Sequence, residues 1–232
     1  MKEKVVVLTG AGISAESGIK TFRDADGLWE GHDVMEVASP QGWLKNRALV
    51  LDFYNQRRRQ LKEVHPNQGH LALTQLEEQF DVTIVTQNVD NLHERAGSSN
   101  IIHLHGELQK GRSERNEHLV IELEGDINEG DLGDDGHQIR PHIVWFGEAV
   151  PMLEKAAHAV YHADHLLIIG TSMQVYPAAG LVSYAPPHCP IYYIDPKPHI
   201  SYELQQLSQL NIIEEVASKG VPKIVNQLLK NV

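Results

Sequence analysis

A single cysteine, Cys189, stands among the 232 residues of this chain. One thiol excludes an intrachain disulfide framework and any structural zinc site built on several thiolates. Long apolar runs are missing as well. The opening MKEKVVVLTG is too short in apolar residues for a signal sequence, and no later stretch approaches the roughly 20 such residues that a membrane span needs. Basic residues are in deficit: 20 Lys and Arg face 31 Asp and Glu, a formal charge of −11. That balance disfavours nonspecific attraction to nucleic acid or anionic lipid and suits a basic protein or peptide as partner. The expectation is a cytoplasmic monomer with neither nucleic acid nor membrane as partner. At 41% hydrophobic and 22% charged, the chain can fold as one well-buried domain with a small appended module.

What is present centres on the stretch VVVLTGAGISAESGIKTFR, residues 5–23. Val5 to Leu8 form an apolar run without alternation, as in a strand covered on both faces of a parallel sheet. Gly10, Gly12 and Ala15 then satisfy G-x-G-x-x-G/A: a tight turn, close approach of a pyrophosphate, and close helix–strand packing. Unpaired N–H groups at the helix start would face the anion. A plain dinucleotide fold places an acidic residue about 20 residues on, at the end of a second strand. Here the interval reads TFRDADGLWEGH, polar and glycine-bearing, and the expectation is a mobile flap with Phe22 and Arg23 at its base.

Further along, Pro40 to Val64 carries helical spacing of apolar residues. Within it Tyr54 and Arg57 stand three apart and share a face, where phenol and guanidinium could grip a carboxylate. On pattern alone, the preferred reading is a solvated basic face formed by Arg57, Arg58 and Arg59. A helix follows from Pro66 to Phe80, then the strand DVTIVT, whose end delivers Gln87, Asn88 and Asp90. In open α/β sheets, ligands bind at the carboxyl ends of strands, so these are candidates to hydrogen-bond an amide or a sugar. The run from Asn100 to Leu104 delivers His105 in the same way, a base suited to neutral pH. Glu107 to Pro141 is rich in Glu, Asp, Gly and Asn, with LVIEL as its strand candidate, and reads as an inserted hairpin or small module. Its acidic residues lack EF-hand spacing, and His118, His137 and His142 have no thiolate companions, so neither calcium nor zinc is expected. HIVWFGE, HLLIIGTS and IYYID end at Phe146, Gly147 and Glu148, at Gly170, Thr171 and Ser172, and at Asp195, which could accept ribose hydroxyls. A strand at NIIEEV and a closing helix, VPKIVNQLLKNV, complete a doubly wound α/β sheet of six or seven strands.

Taken together, GAGISAESGIKTFR, TQNVDNLHERAG, LHG, VWFGE and GTSMQVYP, in this order, closely resemble the sirtuin family of NAD-dependent protein deacylases, from Val5 to about Val221. The resemblance implies a Rossmann-like parallel sheet formed by 1–30, 66–106 and 142–232, with a small domain formed by a helical insertion, 31–65, and by 107–141. It implies NAD as cofactor and an acyl-lysine protein or peptide as partner. Gly10, Ala11, Gly12 and Ser14 match the NAD phosphate loop, and Phe22 and Arg23 the cofactor loop. Gln87, Asn88 and Asp90 match the nicotinamide pocket and its ribose, with Asp90 on the carboxamide and Asn88 counted with the catalytic groups. His105 matches the general base. Val144, Phe146, Gly147 and Glu148 match the stretch that pairs with substrate and lines the acyl-lysine tunnel. Gly170, Thr171, Ser172, Asp195 and Ala217 are assigned to the cofactor side. In the family's chemistry the acyl oxygen attacks the ribose as nicotinamide leaves, and the products are free lysine and an O-acyl-ADP-ribose.

Two details stand apart. Tyr54-x-x-Arg57 coincides with the motif by which one branch of sirtuins recognises succinyl and malonyl groups, which reverses the solvated-face reading and implies an acidic-acyl preference. Most sirtuins also bind a structural zinc through two cysteine pairs in the region of 107–141, and here those cysteines are absent, so a metal-free module is expected. The alternatives are an ordinary deacetylase, and a protein ADP-ribosyltransferase or NAD hydrolase. A noncatalytic nucleotide sensor would have lost His105 or the Asn88 and Asp90 pair, and a dehydrogenase is disfavoured by the missing second-strand acid.

Overall fold

The computed structural model describes residues 2–20 and 28–231. Strand β1, Lys4–Thr9, is buried from its second residue on and lies inside a six-stranded parallel sheet. Its partner on one side is β4, Asp81–Thr86, which pairs in turn with β5, Ile101–His103; β2, Leu28–Trp29, and β3, His32–Asp33, lie apart from this sheet. On the other side lie β9, His165–Ile169, β10, Ile191–Ile194, and β11, Leu210–Ile213. The order β11-β10-β9-β1-β4-β5 is that of a doubly wound fold whose direction reverses between β1 and β9, where a crevice opens at the strands' carboxyl ends.

Alternation along β1 shows how both faces are covered. Val5 and Val7 point into a core completed by α5, Gln68–Leu76, and α9, Ala217–Lys230. Val6 and Leu8 point into a second core with α7, Leu153–Tyr161, a 3₁₀ helix over Ala178–Tyr184, and α8, Tyr202–Gln205. Each strand residue thus has apolar cover, as expected of a continuous apolar run. The glycine turn after β1 leads into α1, Gly12–Ala15.

The described part of the expected flap begins a hairpin. Strands β2, Leu28–Trp29, and β3, His32–Asp33, form a hairpin through Glu30 and Gly31, both at positive φ, which matches the right-handed twist of a two-residue turn. Phe22 and Arg23 lie outside the described residues. The helical stretch from Pro40 is two helices rather than one. After α2, Val34–Val37, come α3, Pro40–Lys45, and α4, Arg47–Glu63, separated at Asn46, whose side chain accepts the N–H of Leu49 as the cap of α4. An Asn satisfies an orphan helix donor this way only with its own backbone out of helical geometry.

The small sheet differs from the sequence expectation. Beside β7, Val120–Glu122, it contains β6, Gly106–Ser113, and β8, Ile139–Ile143, in the antiparallel order β7-β6-β8. The HIVWFGE run therefore leaves the main sheet: His142 and Ile143 belong to β8, and Val144 to Glu148 form the connection out of it. Polar residues dominate β6, so it lacked the apolar signature of a strand; its partners come from tertiary pairing. One core joins this sheet to the helical insertion, with Val50, Phe53 and Tyr54 of α4 against Leu108, Ile127, Ile139 and Trp145. Among the described residues, no helix is long and apolar enough to cross a membrane.

Behind the sheet's carboxyl edge, His70 of α5 and His93 of α6, Leu92–Ala96, are fully buried with ring centroids 5.0 Å apart. Burial lowers His70 to about 4 and holds His93 well below its ordinary 6.5. Both rings are therefore neutral in the fold, while the unfolded chain gains their protons below about 6.5. Stability contributed by the two neutral rings is present above 6.5 and declines as pH falls from 6.5 towards 4. Urea titrations across that range should show the decline, and His93→Gln should flatten it; an unchanged slope would refute the assignment.

Candidate active site

Glycines bring the β1 turn against the end of β9. A Cβ on Gly12 would stand 2.6 Å from the Cα of Gly170, one on Gly10 would stand 2.7 Å from the Thr171 Cβ, and Gly170 itself has φ +59°. No side chain fits at any of the three positions without moving backbone. The contact is closed by the Gly10 N–H on the Ile169 carbonyl, 3.0 Å, and the Gly12 N–H on the Gly170 carbonyl, 2.8 Å. This corrects the expectation that these amides wait for an anion, since both are spent on carbonyls at the end of β9 and just beyond it. Within the turn, the Ala11 N–H has no acceptor among the described residues.

A cleft of about 570 Å³ opens above this contact, lined by Gly10, Ala11, Gly12 and Ser14 from the first turn, and by Gln87, Asn88 and Asp90 beyond β4. His105 joins it from the β5–β6 junction, Gly170, Thr171 and Ser172 from β9, and Asp195 from β10. The polar groups are bonded to one another. Ser14 Oγ donates to Asp90 Oδ2 at 3.0 Å, and Asn88 Nδ2 donates to the Gly10 carbonyl and to Ser14 Oγ, each at 3.2 Å. Asp90 Oδ1 accepts the Leu92 N–H at 3.1 Å. Burial raises the Asp90 carboxyl above its ordinary value, with the Leu92 and Ser14 donors opposing it. Asp195, also buried, accepts the Lys197 N–H at 2.8 Å.

His105 has one ring nitrogen committed. Its Nδ1 lies 3.0 Å from the Gln87 carbonyl, which can only accept, so Nδ1 carries the proton and Nε2 keeps the lone pair. Burial moves this imidazole below 6.5, leaving it neutral at pH 7. The Gln87 side chain donates to Thr171 Oγ1 at 3.1 Å and bridges the two halves of the sheet. Sequence reasoning missed the layer beneath: Thr9 Oγ1 donates to Thr86 Oγ1, which accepts the Asn88 N–H, and Thr9 also meets His93 Nε2 at 3.1 Å. Thr9 and Thr86, each closing an apolar run immediately before the polar residues, were the available signal.

At the other end, Tyr54, Val144, Trp145, Phe146, Gly147 and Glu148 line the cleft, with Trp29 of the hairpin. Tyr54 is fully buried; its oxygen accepts the Trp145 indole N–H at 3.0 Å, and burial pushes its hydroxyl far above 10, so it stays protonated. Arg57, one turn on, does not line the cleft. Its guanidinium lies 4.9 Å from the Phe53 ring, and its buried Nε has no partner among the described residues. Glu148 is committed: Arg140 Nη1 donates to it at 2.7 Å, Arg112 approaches at 3.3 Å, and the Trp145 N–H donates at 2.9 Å. The N–H groups of Val144, Phe146 and Glu148 are likewise spent, on His105, Ala38 and Trp145 carbonyls, and Gly147, at φ +90°, has the amide of this stretch without an acceptor among the described residues. Ala217 packs in the core below α9's start, and its neighbour Val216 reaches the cleft instead.

A family model described as the Sir2 family matches residues 10–177. A protein of Helicobacter pylori strain 26695 named "NAD-dependent protein deacylase" is 62% identical over 209 residues, 90% of this chain and 91% of that protein. One of Bacteroides thetaiotaomicron with the same name is 53% identical over 98% of each chain. Among solved structures, a Sir2 homologue in complex with NAD superposes with a TM-score of 0.85 at 36% identity, covering 99% of this chain and 91% of that one. A Sir2 protein bound to an acetylated peptide gives 0.76 at 26%, covering 99% and 93%. With the matched residues running from the glycine turn through the histidine and the Trp145 stretch to the loop after β9, the chain belongs to the Sir2 family.

Proposed function

We infer that this protein is an NAD-dependent protein-lysine deacylase whose preferred acyl groups carry a carboxylate, succinyl and malonyl being the types to test. The deacylase reading rests on family membership together with a cleft holding a neutral histidine beside the glycine turn. NAD, when bound, supplies an electrophilic ribose carbon and a departing nicotinamide. The chain's own groups do the rest. Gly10, Gly12 and Ser14 would shape the place of the diphosphate, with the Ala11 N–H the amide of the turn left to meet it, while Thr171, Ser172 and Asp195 would take the adenosine side and Gln87, Asn88 and Asp90 the nicotinamide end. His105 Nε2 takes a ribose hydroxyl proton, and the apolar walls of Trp145 and Phe146 keep out water. Phe22 and Arg23 retain the assignment to the cofactor loop that the resemblance implies.

One observation carries the acyl preference: Tyr54 forms part of the cleft wall with its O–H still free to donate, because its oxygen is used as the acceptor for Trp145. Arg57 follows one turn later with an unpartnered Nε and no ion pair among the described residues. A rotamer change of this long side chain brings a fork suited to a carboxylate towards the tyrosine. With NAD and peptides bearing acetyl-, succinyl- or malonyl-lysine, the acidic acyl groups should be removed faster. Arg57→Met should lower kcat/KM for the succinyl peptide by ~10- to 100-fold while sparing the acetyl peptide. Dominant acetyl removal by the unaltered protein would instead make it an ordinary deacetylase.

Because burial lowers the His105 imidazole from its ordinary value, the acid limb of kcat/KM should have its midpoint under 6.5, and His105→Ala should abolish turnover with every acyl group. A midpoint above 7 would assign the base elsewhere.

The small module is proposed to fold without zinc. Its residues do not fit that ion: Ser113 Oγ donates to Asp135 at 2.6 Å and accepts the N–H groups of Arg115 and Asn116, while the Gln138 side chain joins Gly130, Asn128 and Ile139. Among the described residues, no three His, Cys, Asp or Glu side chains are grouped to hold a metal. A chelator should leave the melting temperature unchanged, whereas Ser113→Ala, at a buried hydroxyl, should cost about 1–2 kcal/mol. A chelator-induced drop in melting temperature would overturn the metal-free reading.

A further inference from the structure

A second cavity, of about 270 Å³, lies between α4, the start of α6 and β6, and shares no residue with the cleft. Three of the side chains around it are cations, Arg58, Lys62 and Arg95, and none is a carboxylate. In a chain of net charge −11 such a wall is a local reversal of sign. The nearest acid that acts on Arg58, Asp126, is bound to Arg59.

Arg58 is 2% exposed and forms no ion pair among the described residues. Its Nε donates to the Leu108 carbonyl and its Nη1 to Asn55, but Nη2 is buried with no partner. A guanidinium removed from water without a counter-charge is costly, and a buried donor left unmade adds to that cost. The second unpartnered atom of the same wall is Asn91 Oδ1. The Asn91 and Gln109 amides bond to each other, and reversing both keeps that bond while turning a donor rather than an acceptor towards the cavity. Lys62 and Arg95 donate to backbone carbonyls, Arg95 also meets a histidine nitrogen, and neither forms an ion pair among the described residues.

We propose that this cavity binds a compact dianion, a phosphate group or a short dicarboxylate, whose oxygens take the Arg58 Nη2 donor and the charges of Lys62 and Arg95. Its position gives it a route to the reaction. Arg58 holds the Leu108 carbonyl, the Leu108 N–H holds the Val89 carbonyl, and Asp90 accepts the Leu92 N–H. An anion ordering Arg58 and Asn91 thereby stiffens the segment that carries Asn88 and Asp90.

Calorimetric titration of the full chain with inorganic phosphate, and separately with succinate, tests this at constant ionic strength set by chloride. Saturating ADP-ribose is present throughout, to occupy the cleft. Saturable one-to-one binding of at least one probe is expected, weakened about tenfold by Lys62→Glu, as for loss of one charge-assisted contact and its replacement by repulsion. Phosphate binding alone would assign a phosphorylated ligand, succinate alone a dicarboxylate. Absence of saturable binding, or equal binding by Lys62→Glu in a variant that melts at the temperature of the unaltered protein, would overturn the proposal.

Discussion

Everything in the cleft depends on the backbone contact between the β1 turn and the end of β9. There the sheet reverses its direction, and two chain segments far apart in sequence approach until Gly12 and Gly170 leave no room for a Cβ. Hydrogen bonds from the Gly10 and Gly12 amides to the Ile169 and Gly170 carbonyls hold the turn shut. The turn in turn sets Ser14, and Ser14 sets Asp90 and Asn88. A misplaced glycine would therefore be felt at the nicotinamide end as well as at the phosphates.

That coupling runs through a buried polar layer that is costly unless every member is paired. Thr9, Thr86, Asn88, Ser14 and Asp90 satisfy one another across β1 and β4, and the neutral rings of His70 and His93 close the layer from behind. His105 stands at its edge rather than inside it. It shares the consequence of burial, a lowered proton affinity, but keeps one nitrogen unclaimed.

The small sheet reaches the cleft through a different kind of bond. Arg140 and Arg112 grip Glu148, Glu148 accepts the Trp145 amide, and the Trp145 indole fixes the Tyr54 oxygen. Arg140 also lies 3.2 Å from the Trp145 ring centroid, clamping it from its face. Glu148 thus works as a tie between module and wall, with its carboxylate already consumed. The serine, aspartate and glutamine bonds of the module keep β6 and β8 in register so that this tie can form.

Local signals in the chain determined the main sheet and most of the cleft. Mainly apolar runs leading into Gly10, Gln87, His105, Gly170 and Asp195 are legible because a strand buried on both faces is apolar along most of its length. The family motifs assigned roles to those ends. Tertiary structure alone decided the rest. Strand β6 is polar and acquires its partners β7 and β8 by pairing, the latter from residues over twenty positions away; the spent amides of Gly10 and Gly12 depend on where the end of β9 arrives; and the commitment of Glu148 and the exclusion of Arg57 from the cleft wall depend on side chains from separate elements. Periodicity reports burial along one element, whereas the partner of a polar atom is fixed only when distant elements meet.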